Sequence, residues 1–191
     1  GRIWDLQSGL LRLELRGHPE WVNSAAYSRD GRFIVTASMD HTARVWNADS
    51  GRLLATLTGH KDWIRSAAFS PNGEMIVTAS KDKTARIWSG PQWGSSTALI
   101  GHEGAVTSAV FSADGREVLT ASEDQTSRRF RVSDGAELGR LAGHGDWVRH
   151  AVYSQDGKRI LTASRDRTAV VWDLIPTGAT SPLGNPVLRE S

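Results

Sequence analysis

From residue 21 onward the chain is written in short apolar bursts separated by turn-forming residues. Residues 21–27 read as a first strand, and Phe33, Ile34, Val35 and Thr36 form a β-branched run typical of a buried one. Residues 42–46 predict a third strand and residues 53–57 a fourth. Turn signals fall between them: Arg29-Asp30-Gly31, with glycine supplying a positive φ, then Met39-Asp40-His41, then Ala48-Asp49-Ser50-Gly51. No segment carries a helical stripe of useful length. Repeated short strands with regular turns predict an all-β array.

The pattern recurs without insertion. Gly-His stands at Gly17-His18, Gly59-His60, Gly101-His102 and Gly143-His144, a step of 42 residues each time. Trp4, Trp46, Trp88, Phe130 and Trp172 keep the same step. Stacked at this period, ten columns are identical in all four copies: the Gly-His pair, Ala25, Ser28, Gly31, Thr36-Ala37-Ser38, Asp40 and Thr42, with their equivalents. A period of about 40–45 residues with Gly-His near one end and Trp-Asp near the other marks a β-propeller blade of four antiparallel strands. Residues 10–15 match a fourth strand, so residues 1–16 read as the end of a preceding repeat. Four repeats, starting at Gly17, Gly59, Gly101 and Gly143, fill the stretch to residue 175. Residues 176–191, rich in Gly, Pro, Ser and Thr over 177–185, read as a tail or loop.

These residues resemble the WD-repeat β-propeller family over about residues 2–173. The resemblance implies one hydrogen-bonded tetrad of His, Ser or Thr, Asp and Trp per blade. By position these are His18, Ser38, Asp40 and Trp46; His60, Ser80, Asp82 and Trp88; His102, Ser122 and Asp124; and His144, Ser164, Asp166 and Trp172. In the third set Phe130 replaces Trp, so that network lacks an indole donor. Trp-Asp itself is intact only at Trp4-Asp5 and Trp172-Asp173. The chemistry is sound: a buried Asp needs hydrogen bonds, and a Trp can bury its body while spending its N–H on a partner.

Composition narrows the function classes. Of the 191 residues, 23% are charged and 39% hydrophobic, ordinary for a soluble domain, and the net charge is +2. There is no cysteine, hence no disulfide framework or thiolate metal site, which suits a cytoplasmic location. No apolar run approaches the roughly 18 residues that would cross a bilayer. The His-Ser-Asp sets invite a hydrolase reading, but they recur four times whereas a nucleophile and its base are normally singular. No Gly-x-Ser-x-Gly elbow, phosphate loop or dinucleotide fingerprint occurs, so neither catalysis nor a cofactor is expected. Four His spread one per blade do not predict a metal site.

Where the copies disagree, function has room. After each Gly-His stand Trp21, Trp63, Ala105 and Trp147; two positions on come Asn23, Arg65, Thr107 and Arg149; before the tetrad Asp come Met39, Lys81, Glu123 and Arg165. The resemblance places these columns near the top rim, where partners bind, and Trp and Arg are enriched at interface hot spots. Trp21, Asn23, Trp63, Arg65, Lys81, Trp147, Arg149 and Arg165 are therefore the candidate partner-binding residues. The bland alternative is that the Trp side chains pack between blades. Nucleic acid is disfavoured, because Glu20, Asp62, Glu103, Glu123 and Asp146 lie among the basic residues. Trp93, in the odd stretch Ser89-Gly90-Pro91-Gln92-Trp93-Gly94, is either a contact loop or an anchor for a weak fourth strand.

The expected function is a non-catalytic scaffold that binds a protein or peptide. The regular Thr-Ala-Ser-x-Asp-x-Thr-Ala-Arg phrasing is also similar to propellers fused to bacterial signalling ATPases or kinases, which implies a sensor role as the alternative. Four blades in an open arc leave two end faces wet, and each face of on the order of 500 Å² forfeits roughly 12 kcal/mol. Ring completion is therefore expected: by a longer propeller of about seven or eight blades, by a second copy in a homodimer, or by residues 10–15 pairing beside the last strand of the same chain.

Overall fold

A short ribbon precedes four sheets that follow one another in chain order, as a computed structural model describes them for residues 1–174. The tail expected at 176–191 lies outside the described residues. The ribbon pairs β1 (Arg2–Trp4) with β2 (Leu11–Glu14). Blade 1 comprises β3 (Val22–Tyr27), β4 (Phe33–Ser38), β5 (Thr42–Asn47) and β6 (Leu53–Thr58). Blade 2 comprises β7 (Ile64–Phe69), β8 (Ile76–Ser80), β9 (Ala85–Ser89) and β10 (Ser95–Leu99). Blade 3 has β11 (Val106–Phe111), β12 (Glu117–Ser122), β13 (Thr126–Arg131) and β14 (Glu137–Ala142). Blade 4 has β15 (Val148–Tyr153), β16 (Arg159–Ser164) and β17 (Ala169–Asp173). Every sheet is an antiparallel meander.

The tight turns explain why the strands stop where they do. Between the second and third strands of each blade, His41, Lys83, Gln125 and Arg167 adopt φ of 68° to 74°, a left-handed conformation uncommon for residues with a Cβ. The preceding aspartate holds the turn: Asp40 Oδ1 accepts from the Thr42 amide at 2.9 Å and from its hydroxyl at 2.6 Å.

The core lies between blades. Val35 and Val45 of blade 1 pack against Ile64 and Ala67 of blade 2; Val77 and Ile87 pack against Val106 and Ala109; Leu119 packs against Val148 and Ala151. The ribbon covers part of blade 1 with Ile3 and Leu15 against Ile34, Trp46 and Ala48. Trp93 ends a one-turn 3-10 segment (Pro91–Trp93) and wedges between blades 1 and 2, its ring edge-on to Phe33 at 5.5 Å and Phe69 at 6.2 Å. Of the two readings of Trp93, the anchor is what this packing describes. The junction of blades 3 and 4 differs. Where the first junction has Phe33, Val45 and Phe69, here Arg129 grips Glu117 through two bonds of 2.8 and 2.9 Å, and Tyr153 donates its hydroxyl to Glu117 at 3.0 Å. Burial, with Glu117 adding to it, raises the Tyr153 phenol well above its ordinary pKa.

The ribbon settles one expectation. β2 pairs with β1, and β17 has only β16 beside it among the described residues. Closure of four blades within one chain, with residues 10–15 along the last strand, is therefore not the arrangement present.

Candidate partner-binding face

Each blade carries one polar network, and its hydroxyl is not the expected one. His18 Nδ1 lies 2.7 Å from Asp40 Oδ2, and His18 Nε2 lies 2.7 Å from Thr36 Oγ1. The Trp46 indole donates to the same Thr36 oxygen at 2.9 Å. Thr78 and Thr162 play the same part with His60 and Trp88 and with His144 and Trp172. In blade 3, His102 meets Thr120 at 2.7 Å and Asp124 at 2.8 Å, while Phe130 offers no N–H. The expected serines lie two residues further along. Ser38, Ser80, Ser122 and Ser164 each accept the amide of the turn aspartate at 3.1 Å and donate to a carbonyl in the loop after Gly-His. Thr36 and Ser38 share a strand face, but only Thr36 lies deep enough to meet the imidazole; Ser38 sits at the strand end and serves the turn.

Proton bookkeeping fixes the tautomer. Thr36 Oγ1 accepts from Trp46, its proton goes to His18 Nε2 at 2.7 Å rather than to the Arg44 carbonyl at 3.5 Å, and the ring proton on Nδ1 goes to Asp40. The imidazole is thus neutral. Burial lowers the pKa of His18 and His60, with Asp40 and Asp82 opposing it in part. Burial opposes ionisation of Asp82, but bonds from Thr84, the Lys61 amide and His60 outweigh it and hold the carboxyl at about 2. Asp124 and Asp166 are also held well below the usual carboxylate range. Asp40 lacks the loop amide that serves the other three, because Pro19 stands there without an N–H. Glycine suits three of the Gly-His pairs, since Gly17, Gly59 and Gly101 adopt φ of 143° to 153°, which a residue with a Cβ rarely takes.

Threonine, histidine and aspartate in this order have the connectivity of a hydrolase triad. Thr36, Thr78, Thr120 and Thr162 are at most 1% exposed, however. In three blades the hydroxyl already receives an indole N–H. The arrangement locks strands together and offers no nucleophile to a substrate.

The variable columns divide into two groups. Asn23, Arg65, Thr107 and Arg149 occupy a β-bulge, since the pairing of each first strand slips across that residue. A bulge re-aims its side chain, here toward the following blade. Asn23 donates to Ile64 O at 2.8 Å, Thr107 donates to Val148 O at 2.7 Å, and Arg65 pairs with Glu123 at 2.9 Å. Asn23 and Arg65, expected to meet a partner, therefore spend polar groups on the next blade. Arg149 is exposed.

The second group stands on the surface, apart from the buried Ala105. The amides of Met39, Lys81, Glu123 and Arg165 donate to the carbonyls of Trp21, Trp63, Ala105 and Trp147, so the two columns lie side by side. Lys81 Nζ sits 4.3 Å from the centre of the Trp63 ring, and Arg165 sits 4.9 Å from that of Trp147. Trp21 is 76% exposed, and none of the three rings belongs to a core cluster.

Residues from all four first strands converge on one cleft of about 300 Å³, lined by Asn23, Met39, Trp63, Arg65, Thr107, Arg149 and His150. Of the eight predicted residues, the cleft unites Asn23, Trp63, Arg65 and Arg149. Trp21, Lys81, Trp147 and Arg165 lie outside its wall. His150 escaped sequence reasoning, although it breaks a column that reads Ser24, Ser66 and Ser108 elsewhere. Among the described residues no carboxylate lines the cleft, and Arg149 makes it basic, since the charge of Arg65 is paired with Glu123. No group of three or more His, Asp or Glu gathers to hold a metal among the described residues. No helix there is long and apolar enough to cross a membrane.

Successive antiparallel sheets packed face to face, three of them four-stranded and each locked by a His–Thr–Asp network with an aromatic beside it, define blades of a β-propeller repeat protein. The chain belongs to the WD-repeat family: the model described as "WD domain, G-beta repeat" matches residues 9–47, 51–89, 93–128 and 135–173. Repeats of this family generally serve as protein-interaction scaffolds and are generally non-catalytic. Among curated proteins, Coronin-7 of Pongo abelii is 46% identical over 43 residues, which is 22% of this chain and 5% of that protein. Nuclear distribution protein PAC1-2 of Uncinocarpus reesii is 46% identical over 43 residues, 9% of its length. Nuclear distribution protein PAC1 of Komagataella phaffii is 40% identical over a stretch of the same size. The likeness thus spans about one repeat and a small share of each relative.

Proposed function

We propose that this chain is a scaffold that receives a protein or peptide at the basic cleft formed by the four first strands. The supporting observation is the convergence there of non-repeating residues, above all Trp63 and Arg149. His60 and Thr78 repeat in every blade and serve the fold, and Asn23, Arg65 and Thr107 tie one blade to the next, which leaves Trp63 and Arg149 as the cleft residues without such a duty. An exposed Trp beside an unshielded Arg suits a partner that presents a carboxylate next to an apolar side chain. The four His networks are reserved for the fold. Affinity capture with the intact protein, compared with the Arg149→Glu and Trp63→Ala variants and read by mass spectrometry, tests this reading. A partner retained equally by all three refutes it.

A further inference from the structure

Trp93 stands where its sister turns have glycine. Gly51 and Gly135 hold the same column with φ of 67° and 72°. Each lies against the outer strand of the preceding sheet: a Cβ at Gly135 would come within 3.0 Å of Thr97, and one at Gly51 within 3.8 Å of Leu13. Trp93 has φ of 54° and Gln92 of 53°, a conformation in which a bulky residue is an outlier. The Trp93 indole N–H is also buried without an acceptor among the described residues, whereas Trp46, Trp88 and Trp172 each donate to a threonine. A blade junction requires neither cost. That of blades 2 and 3 closes over Met75 and Phe111, in the Phe33 and Phe69 columns, beneath a turn that keeps its glycine. Strain held in one copy of a repeat and absent from the others is a mark of function.

Beside Trp93 opens a cleft of about 450 Å³, lined by Phe33, Arg52, Leu53, Leu54, Gln92 and Trp93. Phe33 begins β4, while Met39 of the basic cleft follows its end, so the two clefts lie at opposite ends of that strand. The apolar lining does not repeat: the Phe33 column reads Met75, Glu117 and Arg159 elsewhere, and the Leu53 column reads Ser95 and Glu137. Leu53 is 42% exposed. Among the described residues no carboxylate lines this cleft. Asp49 pairs with Arg12 and Asp30 with Arg32, so neither shields the exposed Arg52. β6 is the outer edge of blade 1, and its six residues carry no charge of the kind that guards such an edge.

We propose that this cleft is a protein-binding site distinct from the basic one, and that it takes an extended, acidic segment of a partner. An aromatic or long aliphatic side chain of that segment enters between Trp93, Phe33 and Leu53. Its backbone runs along β6, whose edge offers unpaired amides and carbonyls, while the pocket selects the side chain. The volume is that of a small ligand site, ample for one such side chain. A carboxylate beside it meets Arg52, the one charge in the lining. The site uses blades 1 and 2 alone, and its anchor, Trp93, is at once the wedge between them and a wall of the cleft.

The test follows the indole N–H signals of the isotope-labelled 191-residue chain by NMR. Trp93 is assigned by its loss in Trp93→Phe and Trp63 by its loss in Trp63→Phe. The probe is a capped pentapeptide, Glu-Thr-Phe-Thr-Glu. It should shift the Trp93 signal to saturation, and Lys-Thr-Phe-Thr-Lys and Glu-Thr-Ala-Thr-Glu should each bind about tenfold more weakly. Arg52→Glu should reverse the preference between the acidic and the basic Phe peptide. Should that variant fail to fold, the three peptides decide on the unmodified chain. A Trp93 signal unmoved at millimolar peptide, or moved equally by all three, overturns the proposal. So does one that moves with protein concentration alone, which gives the cleft to a second copy. Movement of Trp63 without Trp93 puts the peptide in the basic cleft, which overturns this inference and leaves the proposed function standing.

Discussion

Thr78 Oγ1 lies 2.7 Å from His60 Nε2 and receives the Trp88 indole N–H, which makes this threonine the hinge of the blade 2 network. Three elements meet at that oxygen: the loop after Gly59, the second strand and the third. Thr78→Val keeps the shape but leaves an imidazole nitrogen and an indole N–H buried without a partner, a loss of about 2–4 kcal/mol. Ser80→Ala removes only the turn bonds and should cost about 1 kcal/mol. Chemical denaturation of the two variants checks the order; a larger loss at Ser80 contradicts it.

Acid should unfold the protein in two steps. The native pKa of His18 and His60 lies below the ordinary histidine value, so below about pH 6.5 the unfolded chain binds these protons first. Stability is full above that pH and falls beneath it. Asp82, held at about 2, adds a second decline between about pH 4 and pH 2, for the same reason of sign: the unfolded carboxyl takes its proton earlier. Melting temperatures measured from pH 8 to pH 3 should be level and then fall. A rise between pH 7 and pH 5 contradicts the neutral imidazoles.

Arg65 and Arg149 share a column but not a task. Arg65→Glu sets a carboxylate against Glu123 across a blade junction and should cost about 1 kcal/mol or more. Arg149→Glu, on an exposed residue, should leave the melting temperature unchanged. Equal losses in thermal melts contradict the division.

The polar junction of blades 3 and 4 should be sensitive to one oxygen. Tyr153→Phe removes the hydroxyl that donates to Glu117 and should cost about 1 kcal/mol. Phe69→Tyr, at the same column of an apolar junction, buries an unpaired hydroxyl beside Trp93 and should be destabilising as well, by about 1–3 kcal/mol. Denaturant midpoints measure both.

Residues that repeat were legible in the chain, and their exact duties less so. His18 and Asp40 stand out because every blade repeats them in the same place, and Trp46 because three of the four blades do. Thr36 is equally invariant, but strand alternation points Thr36 and Ser38 to one face and cannot tell which meets the ring. Asn23, Arg65 and Thr107 look unrelated as side chains, and a bulge has no residue signature of its own, so their common role as ties to the next blade emerges only in three dimensions. The contact of Glu117 with Arg129 and Tyr153 carries no repeating column to mark it, and Tyr153 arrives from another blade. The cleft is a product of all four copies, which no single repeat displays.

The central claim is that the His–Thr–Asp networks and the ties between blades hold the fold while Trp63 and Arg149 of the cleft bind the partner. The most direct measurement is the yield of captured partner for the intact protein and for Arg149→Glu, each matched by a thermal melt. The account predicts loss of the partner with an unchanged melt. Full capture by Arg149→Glu, or capture lost only together with folding, would contradict it.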